Sequence, residues 1–95
     1  NKVKIKKGMI LSNEPGYYKK NKFGIRIENL VYVNKIKGKL FFNNLTLAPI
    51  ERDLINFKLL TKNEKNYIFN YHLEVYSKIS PFLKKNEKKW LAGFI

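Results

Sequence analysis

The chain has 95 residues, which is enough for one small domain or for a piece of a larger one. It contains no cysteine, which excludes a disulfide framework and a thiolate metal site, and no apolar run approaches the ~20 residues of a membrane-spanning helix. Twenty Lys and Arg residues oppose seven Asp and Glu residues, giving a formal net charge of +13 at pH 7.

The basic charge is carried almost entirely by lysine, because 18 of the 20 basic residues are Lys and only 2 are Arg. Base and phosphate recognition favours the planar arginine fork, and these lysines are scattered along the chain without a dense tract. We therefore expect a lysine-loaded solvated surface and no nucleic-acid partner. Residues 1–7 lack the apolar core of a secretion signal, and with no membrane span either, the sequence favours a cytoplasmic protein. The first residue is Asn1 rather than Met, which suggests a fragment.

The first half of the chain shows a β pattern, in which short apolar or alternating runs are separated by turn residues. Three strands are predicted, at residues 9–12, 23–34 and 40–47. Turn signals stand at Lys7–Gly8, at Pro15–Gly16, in the polar loop Lys19–Lys22, and at Lys35–Lys39 with Gly38. Pro49 closes the third strand because proline cannot donate to a ladder.

Helical signals begin at Thr61. Thr61 and Glu64 fit a capping box with Thr61 as the N-cap. Ser80–Pro81 ends the first helix and can begin another, and Trp90–Leu91 anchors a short final helix that Gly93 stops. The first helix carries apolar residues on one face at three- and four-residue spacing: Ile68, Tyr71, Val75 and Ile79. The sequence therefore predicts an α+β arrangement, with about three strands followed by two helices.

Two glutamates stand out among the few acidic residues. Glu14 precedes a Pro-Gly pair, and Glu28 lies on the second predicted strand, where Gly24, Arg26 and Glu28 share one face. An acid and a base on one face of a largely apolar strand are costly to bury unless they are paired or bound to a metal. From the pattern alone, Glu14 could also be a surface turn residue, and Glu28 could pair only with Arg26.

Several motifs resemble one enzyme family. They are SNEPGYY at 12–18, FGIRIEN at 23–29, LTLAPIERDLI at 45–55, LLTKNE at 59–64, YH at 71–72 and WL at 90–91. Together they closely resemble the end of the catalytic domain of the Xaa-Pro aminopeptidases, the proline-specific branch of the pita-bread metallopeptidases. The resemblance covers nearly the whole chain, and the pair EPGYY and RIEN is specific to this group.

The resemblance implies a site in which two Asp, one His and two Glu hold two divalent metal ions, which we expect to be Mn²⁺. Glu14 matches the fourth ligand, which binds one metal and is a candidate base for the attacking water. Glu28 matches the fifth ligand, which bridges the metals. Arg26 is expected to support catalysis by holding the carboxylates in place and offsetting negative charge. In the family the two aspartates and the histidine lie upstream, before the start of this chain.

The roles expected for the remaining residues of interest are less specific. Tyr18 could lie beside the site and hydrogen-bond near the substrate, or it could pack in a core. Gly16 and Gly24 are expected to serve backbone geometry near the site. His72 is the only histidine and is expected to be structural, because no acid or second histidine stands at ligand spacing. Five aromatic residues are expected to be packing anchors: Tyr67, Tyr71, Tyr76, Phe82 and Trp90.

The resemblance also implies a fold, an activity and partners. Residues 1–50 are expected to be the C-terminal end of a pita-bread catalytic domain, and residues 51–95 a helical extension that packs on it. The intact enzyme is expected to be a cytoplasmic homodimer, with no membrane partner, that releases an N-terminal residue preceding proline. The fragment alone, with three metal ligands missing, is expected to be inactive.

Three alternatives stay open. The first is a related pita-bread hydrolase such as a prolidase, although the long extension after LTLAPI argues against it. The second is a pita-bread domain that has lost catalysis and serves as a binding module, although the chain keeps both glutamates. The third is a small basic nucleic-acid-binding protein, which would need neither a Glu-Pro-Gly turn nor an Arg-x-Glu strand.

Overall fold

The computed structural model describes residues 3–95, and the chain divides into two compact units, Asn1–Thr46 and Leu47–Ile95. The first two residues of the predicted segment 1–50 lie outside the described residues. The first unit is built from strands and the second from helices, so the predicted α+β class is confirmed. None of the helices within residues 3–95 is both long and apolar enough to cross a membrane.

Five strands form the first unit where the sequence predicts three. They are β1 (Ile10–Asn13), β2 (Gly16–Lys19), β3 (Phe23–Arg26), β4 (Asn29–Ile36) and β5 (Lys39–Asn44). An antiparallel sheet has the order β1-β4-β5, and β2 pairs with β3 in a separate two-stranded antiparallel sheet. The prediction therefore missed β2 and merged β3 with β4.

One register runs through both sheets. Asn13 pairs with Asn29 at the end of the larger sheet, and Gly16 pairs with Arg26 at the start of the smaller one. The chain advances by the same number of residues from Asn13 to Gly16 as from Arg26 to Asn29, so the pairing register continues unchanged from one sheet to the other. β1 and β2 on one side, and β3 and β4 on the other, are thus two halves of a single antiparallel hairpin, which we call the ribbon.

Pro15 explains why the ribbon is divided into two ladders. The Ile27 N–H donates to the Pro15 carbonyl at 3.2 Å, but Pro15 has no N–H with which to return the bond. The ladder loses a hydrogen bond at this point and resumes at Gly16. The predicted break of the chain at Pro15–Gly16 is therefore wrong, because the chain stays extended and β2 begins at once.

Residues at positive φ close the hairpins. Ile36 pairs with Lys39, and the two residues between them, Lys37 and Gly38, have φ of 50° and 80°. A two-residue hairpin with positive φ at both positions has a twist that matches the flanking strands, and the predicted turn around Gly38 is confirmed. In the loop between β2 and β3, Asn21 has φ of 59°, a conformation that asparagine tolerates better than most residues.

The second unit contains α1 (Lys62–Ile79), α2 (Lys85–Ala92) and short 3₁₀ helices at Arg52–Leu54, Phe57–Leu59 and Ser80–Phe82. The predicted capping box is present at the start of α1. The Thr61 hydroxyl accepts from the Glu64 N–H at 3.2 Å, and the Glu64 carboxylate accepts from the Thr61 N–H at 2.8 Å. Gly93 follows α2 as its C-cap. The two predicted helices are therefore confirmed.

The core of the second unit lies between the two helices. Tyr71 and Val75 of α1 and Leu91 of α2 are only 3%, 1% and 4% exposed. The Tyr71 hydroxyl donates to the Ala48 carbonyl at 2.6 Å, which connects α1 to the segment that precedes the helices. This contact gives the buried hydroxyl a partner and avoids the cost of an unsatisfied polar group.

Only part of the predicted set of aromatic anchors is buried. Tyr71 belongs to the core, and Tyr76 packs against it. Tyr67 and Phe82 are 59% and 85% exposed, so the prediction is wrong for these two residues within the second unit. Trp90 is 64% exposed, but its ring packs edge-on against Phe94 at 5.1 Å, and Phe94 packs against the core. Leu91, the residue that follows Trp90 in α2, is the one that enters the core.

Candidate metal centre

Glu14 and Glu28 face each other across the gap in the ribbon. Glu14 follows the last residue of β1, Glu28 precedes the first residue of β4, and those two strand residues are paired. Hydrogen-bonded and non-hydrogen-bonded pairs alternate in an antiparallel ladder, and the neighbouring pair, Ile27 with Pro15, is a bonded one. The glutamates therefore occupy a non-bonded pair, in which opposed Cα atoms are typically about 4.5 Å apart and the side chains are closest.

Two carboxylates in this position repel each other, because like charges directly opposite destabilise a pair of strands. Glu14 is exposed, and the Glu28 side chain is 46% exposed. Carboxylate oxygens are hard ligands that suit Mg²⁺ or Mn²⁺. The pair therefore fits a divalent cation, which would convert the repulsion into coordination, and its exposure leaves room for further ligands and for a substrate.

Arg26 is the basic group beside this pair. Its Nη2 lies 3.5 Å from Glu28 Oε2, which confirms that the two residues share a face. The two side chains are 50% and 46% exposed, so this ion pair adds little to stability. One guanidinium beside two carboxylates leaves a surplus of negative charge, and the guanidinium can orient Glu28 without neutralising the site.

Tyr18 lies flat on the same face of the ribbon. A Cβ added to Gly24, its partner in the ladder, would lie 2.5 Å from Tyr18 Cδ1, and a Cβ added to Gly16 would lie 2.6 Å from the Tyr18 hydroxyl. Neither glycine is among the residues at positive φ. Their expected role in backbone geometry is therefore corrected, since both provide space for the ring. The hydroxyl points along the strand toward Glu14, and Tyr18 is 65% exposed rather than packed in a core.

The opposite face of the ribbon is apolar. Side chains alternate between faces along a strand, so the residues between those of the site point away from it. Four of them are large and exposed: Tyr17 (63%), Phe23 (52%), Ile25 (54%) and Ile27 (45%). The rings of Tyr17 and Phe23 lie 6.0 Å apart. The ribbon thus separates a polar face that carries the two glutamates from an apolar face.

Glu14 and Glu28 do not complete a metal site by themselves. In the part of the chain that the structure describes, no three or more His, Cys, Asp or Glu side chains come together in a way that could hold a metal ion. The two carboxylates are two of the five ligands that the resemblance implies. The assignment of both glutamates as ligands, and of Arg26 as their support, stays a prediction.

His72 is a structural histidine, as expected. Its ring is 3% exposed, and its Nε2 accepts a hydrogen bond from the Ile50 N–H at 3.0 Å. Burial lowers the pKa of His72 below its ordinary value of 6.5, and the positive charge of Arg52 lowers it further. The neutral imidazole is thus committed to a backbone contact in the second unit.

Two family models match the chain. The model described as metallopeptidase family M24 matches residues 1–35, and the model described as the C-terminal region of peptidase M24 matches residues 38–93. The second match alone covers more than half of the chain.

Curated relatives match over nearly the full length of the chain. A probable Xaa-Pro aminopeptidase P of Coprinopsis cinerea is 43% identical over an alignment of 101 positions, which covers 96% of this chain and 16% of that protein. Xaa-Pro aminopeptidase 1 of Dictyostelium discoideum is 46% identical over an alignment of 105 positions, which covers 100% of this chain and 17% of that protein. The chain therefore spans about one sixth of the length of these relatives.

A solved structure has a similar fold. It is the crystal structure of X-prolyl aminopeptidase from Caenorhabditis elegans, described as a cytosolic enzyme with a di-nuclear active site. The two chains align with a TM-score of 0.77 and 36% sequence identity, over 88% of this chain and 15% of the nematode chain.

Proposed function

The chain belongs to metallopeptidase family M24, and on that basis we propose that it is the C-terminal part of a metal-dependent Xaa-Pro aminopeptidase. Its fold is the C-terminal part of a pita-bread catalytic domain, as predicted. The intact enzyme releases an N-terminal residue that precedes proline. Its substrates are peptides with proline in the second position.

The observation that carries this proposal is the placement of Glu14 opposite Glu28. A register that brings two carboxylates together at a non-bonded pair is unfavourable without a cation. The sequence retains both glutamates, and it also retains Arg26 on the same face. A purely structural ribbon would gain stability from an opposite charge or an apolar residue at either position, so the pair favours an enzyme over a binding module that has lost its metals.

Each residue of the site has a role in the proposed mechanism. When bound, two divalent ions polarise the scissile carbonyl and activate a water as the nucleophile. Glu28 would be a ligand to both ions and Glu14 a ligand to one of them, and the Glu14 carboxylate would serve as the base that takes up the proton of the attacking water. Arg26 holds the Glu28 carboxylate through its planar guanidinium. The Tyr18 hydroxyl lies on the same face and donates a hydrogen bond to the substrate.

The remaining features are proposed for the intact protein. The other three ligands, two Asp and one His, come from residues outside this sequence, and the metals are Mn²⁺. Residues 1–50 complete the catalytic domain, and residues 51–95 are an extension that packs on it. The enzyme is a homodimer and is cytoplasmic, as the nematode relative is described to be.

The proposal is tested on the full-length protein that contains this chain. Metal content by elemental analysis is compared with hydrolysis of an Xaa-Pro tripeptide and an Xaa-Pro dipeptide, for Glu28→Gln and for the control Glu74→Gln. Glu74 lies in the helical unit, where it pairs with Lys78, so its variant should resemble the wild type. Glu28→Gln should lose metal and lower turnover by orders of magnitude. Retention of both metals with near-normal turnover would overturn the assignment, and activity on the dipeptide alone would indicate a prolidase.

A further inference from the structure

We infer that Thr46 is a positioning residue for Glu28. This inference rests on the proposed function, in which Glu28 is a metal ligand. Leu30 follows Glu28 by two residues, and its backbone is held by two consecutive residues beyond the end of β5. The Leu30 N–H donates to the Thr46 hydroxyl at 2.8 Å. The Leu30 carbonyl accepts from the N–H groups of Leu45 and Thr46, at 2.9 Å and 3.2 Å.

The register explains why Leu30 needs this support. Leu30 pairs with Ser12 of β1. Like the glutamate pair, this is a non-bonded pair, because the two pairs are separated by one bonded pair. The N–H and carbonyl of Leu30 therefore point away from β1, toward β5. β5 ends at Asn44. The backbone groups of Leu30 must therefore find their hydrogen-bond partners in the residues that follow β5.

Thr46 supplies what the ladder lacks at this edge. In a regular ladder Leu30 and Leu45 would exchange two hydrogen bonds, from each N–H to the opposite carbonyl. One of them is present, from the Leu45 N–H to the Leu30 carbonyl. For the other, the Thr46 hydroxyl replaces the Leu45 carbonyl as acceptor. The chain can thus leave the sheet after Leu45 without leaving the Leu30 N–H unpaired.

The consequence reaches Glu28 through the backbone. The gap at Pro15 removes one ladder bond at Ile27, the residue before Glu28, so Glu28 has a complete bonded pair, Asn13 with Asn29, on one flank only. Loss of the Thr46 hydroxyl would remove one of the three hydrogen bonds on the other side of β4 and leave the Leu30 N–H unpaired. Loss of groups that fix a metal ligand typically lowers metal affinity about 10–100-fold.

The test uses the full-length protein and measures metal affinity rather than activity alone. Thr46→Val keeps the shape of the side chain but removes the hydroxyl, and Thr46→Ser keeps the hydroxyl. Mn²⁺ titration of the metal-free protein should show a dissociation constant raised about 10-fold or more by Thr46→Val and changed little by Thr46→Ser. Wild-type affinity in Thr46→Val, or an equal loss in both variants, would overturn the inference.

A second measurement needs no variant and covers the case in which Thr46→Val fails to fold. If Leu30 and Glu28 are coupled as described, metal binding must tighten the Leu30 hydrogen bond by linkage. Amide hydrogen exchange at Leu30 in the wild-type protein should slow when Mn²⁺ is added. Unchanged exchange at Leu30 in metal-saturated protein would contradict the inference. The proposed function would still stand if Glu28→Gln had lost metal, so the two failures can be told apart.

Discussion

Tyr18 lies across Gly24, its partner on the neighbouring strand, so closely that a Cβ on the glycine would stand 2.5 Å from the tyrosine Cδ1. The ring continues to Gly16, where its hydroxyl occupies the space of a second missing Cβ. The two glycines, one on each strand, thus leave a flat backbone surface on which the tyrosine ring packs. This packing sets the direction of the hydroxyl, which points along the face that carries Glu14 and Glu28.

This arrangement predicts that Gly24→Ala acts through Tyr18. The added methyl group would overlap the base of the ring, and the ring can escape because Tyr18 is 65% exposed. We expect the full-length Gly24→Ala protein to fold and keep its metals but to lose turnover about 10–100-fold, as Tyr18→Phe should. Tyr17→Phe, on the opposite face, is the matched control and should behave like the wild type. Steady-state kinetics measures the turnover of each variant, and elemental analysis measures its metal content. Full activity in Gly24→Ala would contradict the proposed role of the tyrosine.

Arg26 offers a prediction that separates support from ligation. Arg26→Lys keeps the positive charge but loses the planar fork that grips a carboxylate. The variant should retain both metals and lose activity by about 10–100-fold. Its stability should change little, because the Arg26–Glu28 pair is half exposed. If Arg26→Lys loses metal as completely as Glu28→Gln does, then Arg26 is needed to assemble the centre and its modest supporting role is wrong.

The relation between the two glutamates could have been read from the sequence. The polar loop at Lys19–Lys22 was predicted, and its residue Asn21 tolerates positive φ. Glu14 and Glu28 each stand seven residues from Asn21. A hairpin centred there must place them opposite each other. The Pro-Gly pair after Glu14 obscures this pairing, because it indicates a turn in local terms but here only interrupts a ladder.

The helices were predicted more completely than the strands because their signals are local. The Thr61–Glu64 capping box involves residues three apart and needs no knowledge of the rest of the fold. The packing of Tyr18 on Gly16 and Gly24, by contrast, joins residues on two strands. The Thr46 contact joins residues sixteen apart, and a lone threonine after a strand gives no sign that its hydroxyl replaces a carbonyl. Side-chain exposure is equally nonlocal, which is why the sequence gives no sign that Tyr67 and Phe82 are exposed.

A further prediction concerns the 95-residue chain by itself. Within residues 3–95 it contributes two carboxylates to the site and no third metal-ligating group, so it should bind Mn²⁺ weakly and have no peptidase activity. Circular dichroism first establishes that the chain is folded, and calorimetry with Mn²⁺ then measures affinity. Micromolar or tighter binding that Glu14→Ala abolishes would show that two of the five ligands are sufficient, which contradicts the proposed need for ligands from elsewhere.

The second unit has a site where protonation and a backbone hydrogen bond compete. His72 Nε2 accepts from the Ile50 N–H at 3.0 Å, which requires that nitrogen to be unprotonated. Burial, and after it the charge of Arg52, lowers the pKa of His72 below 6.5. In the unfolded or locally opened chain the imidazole regains its ordinary pKa. The open state therefore binds more protons than the closed state at pH values between the lowered pKa and 6.5.

The closed state around His72 should lose stability as the pH falls. Above pH 6.5 the imidazole is neutral in both states, and the Ile50 contact contributes its full stability. As the pH falls below 6.5, the open state is protonated first, so the free energy of opening falls until the lowered pKa is passed. Hydrogen exchange at the Ile50 amide, corrected for the intrinsic rate, should show protection that declines over this range. His72→Gln supplies an amide oxygen that accepts without titrating, so its protection should stay flat. An equal decline in His72→Gln, or none in the wild type, would show that His72 does not control this segment.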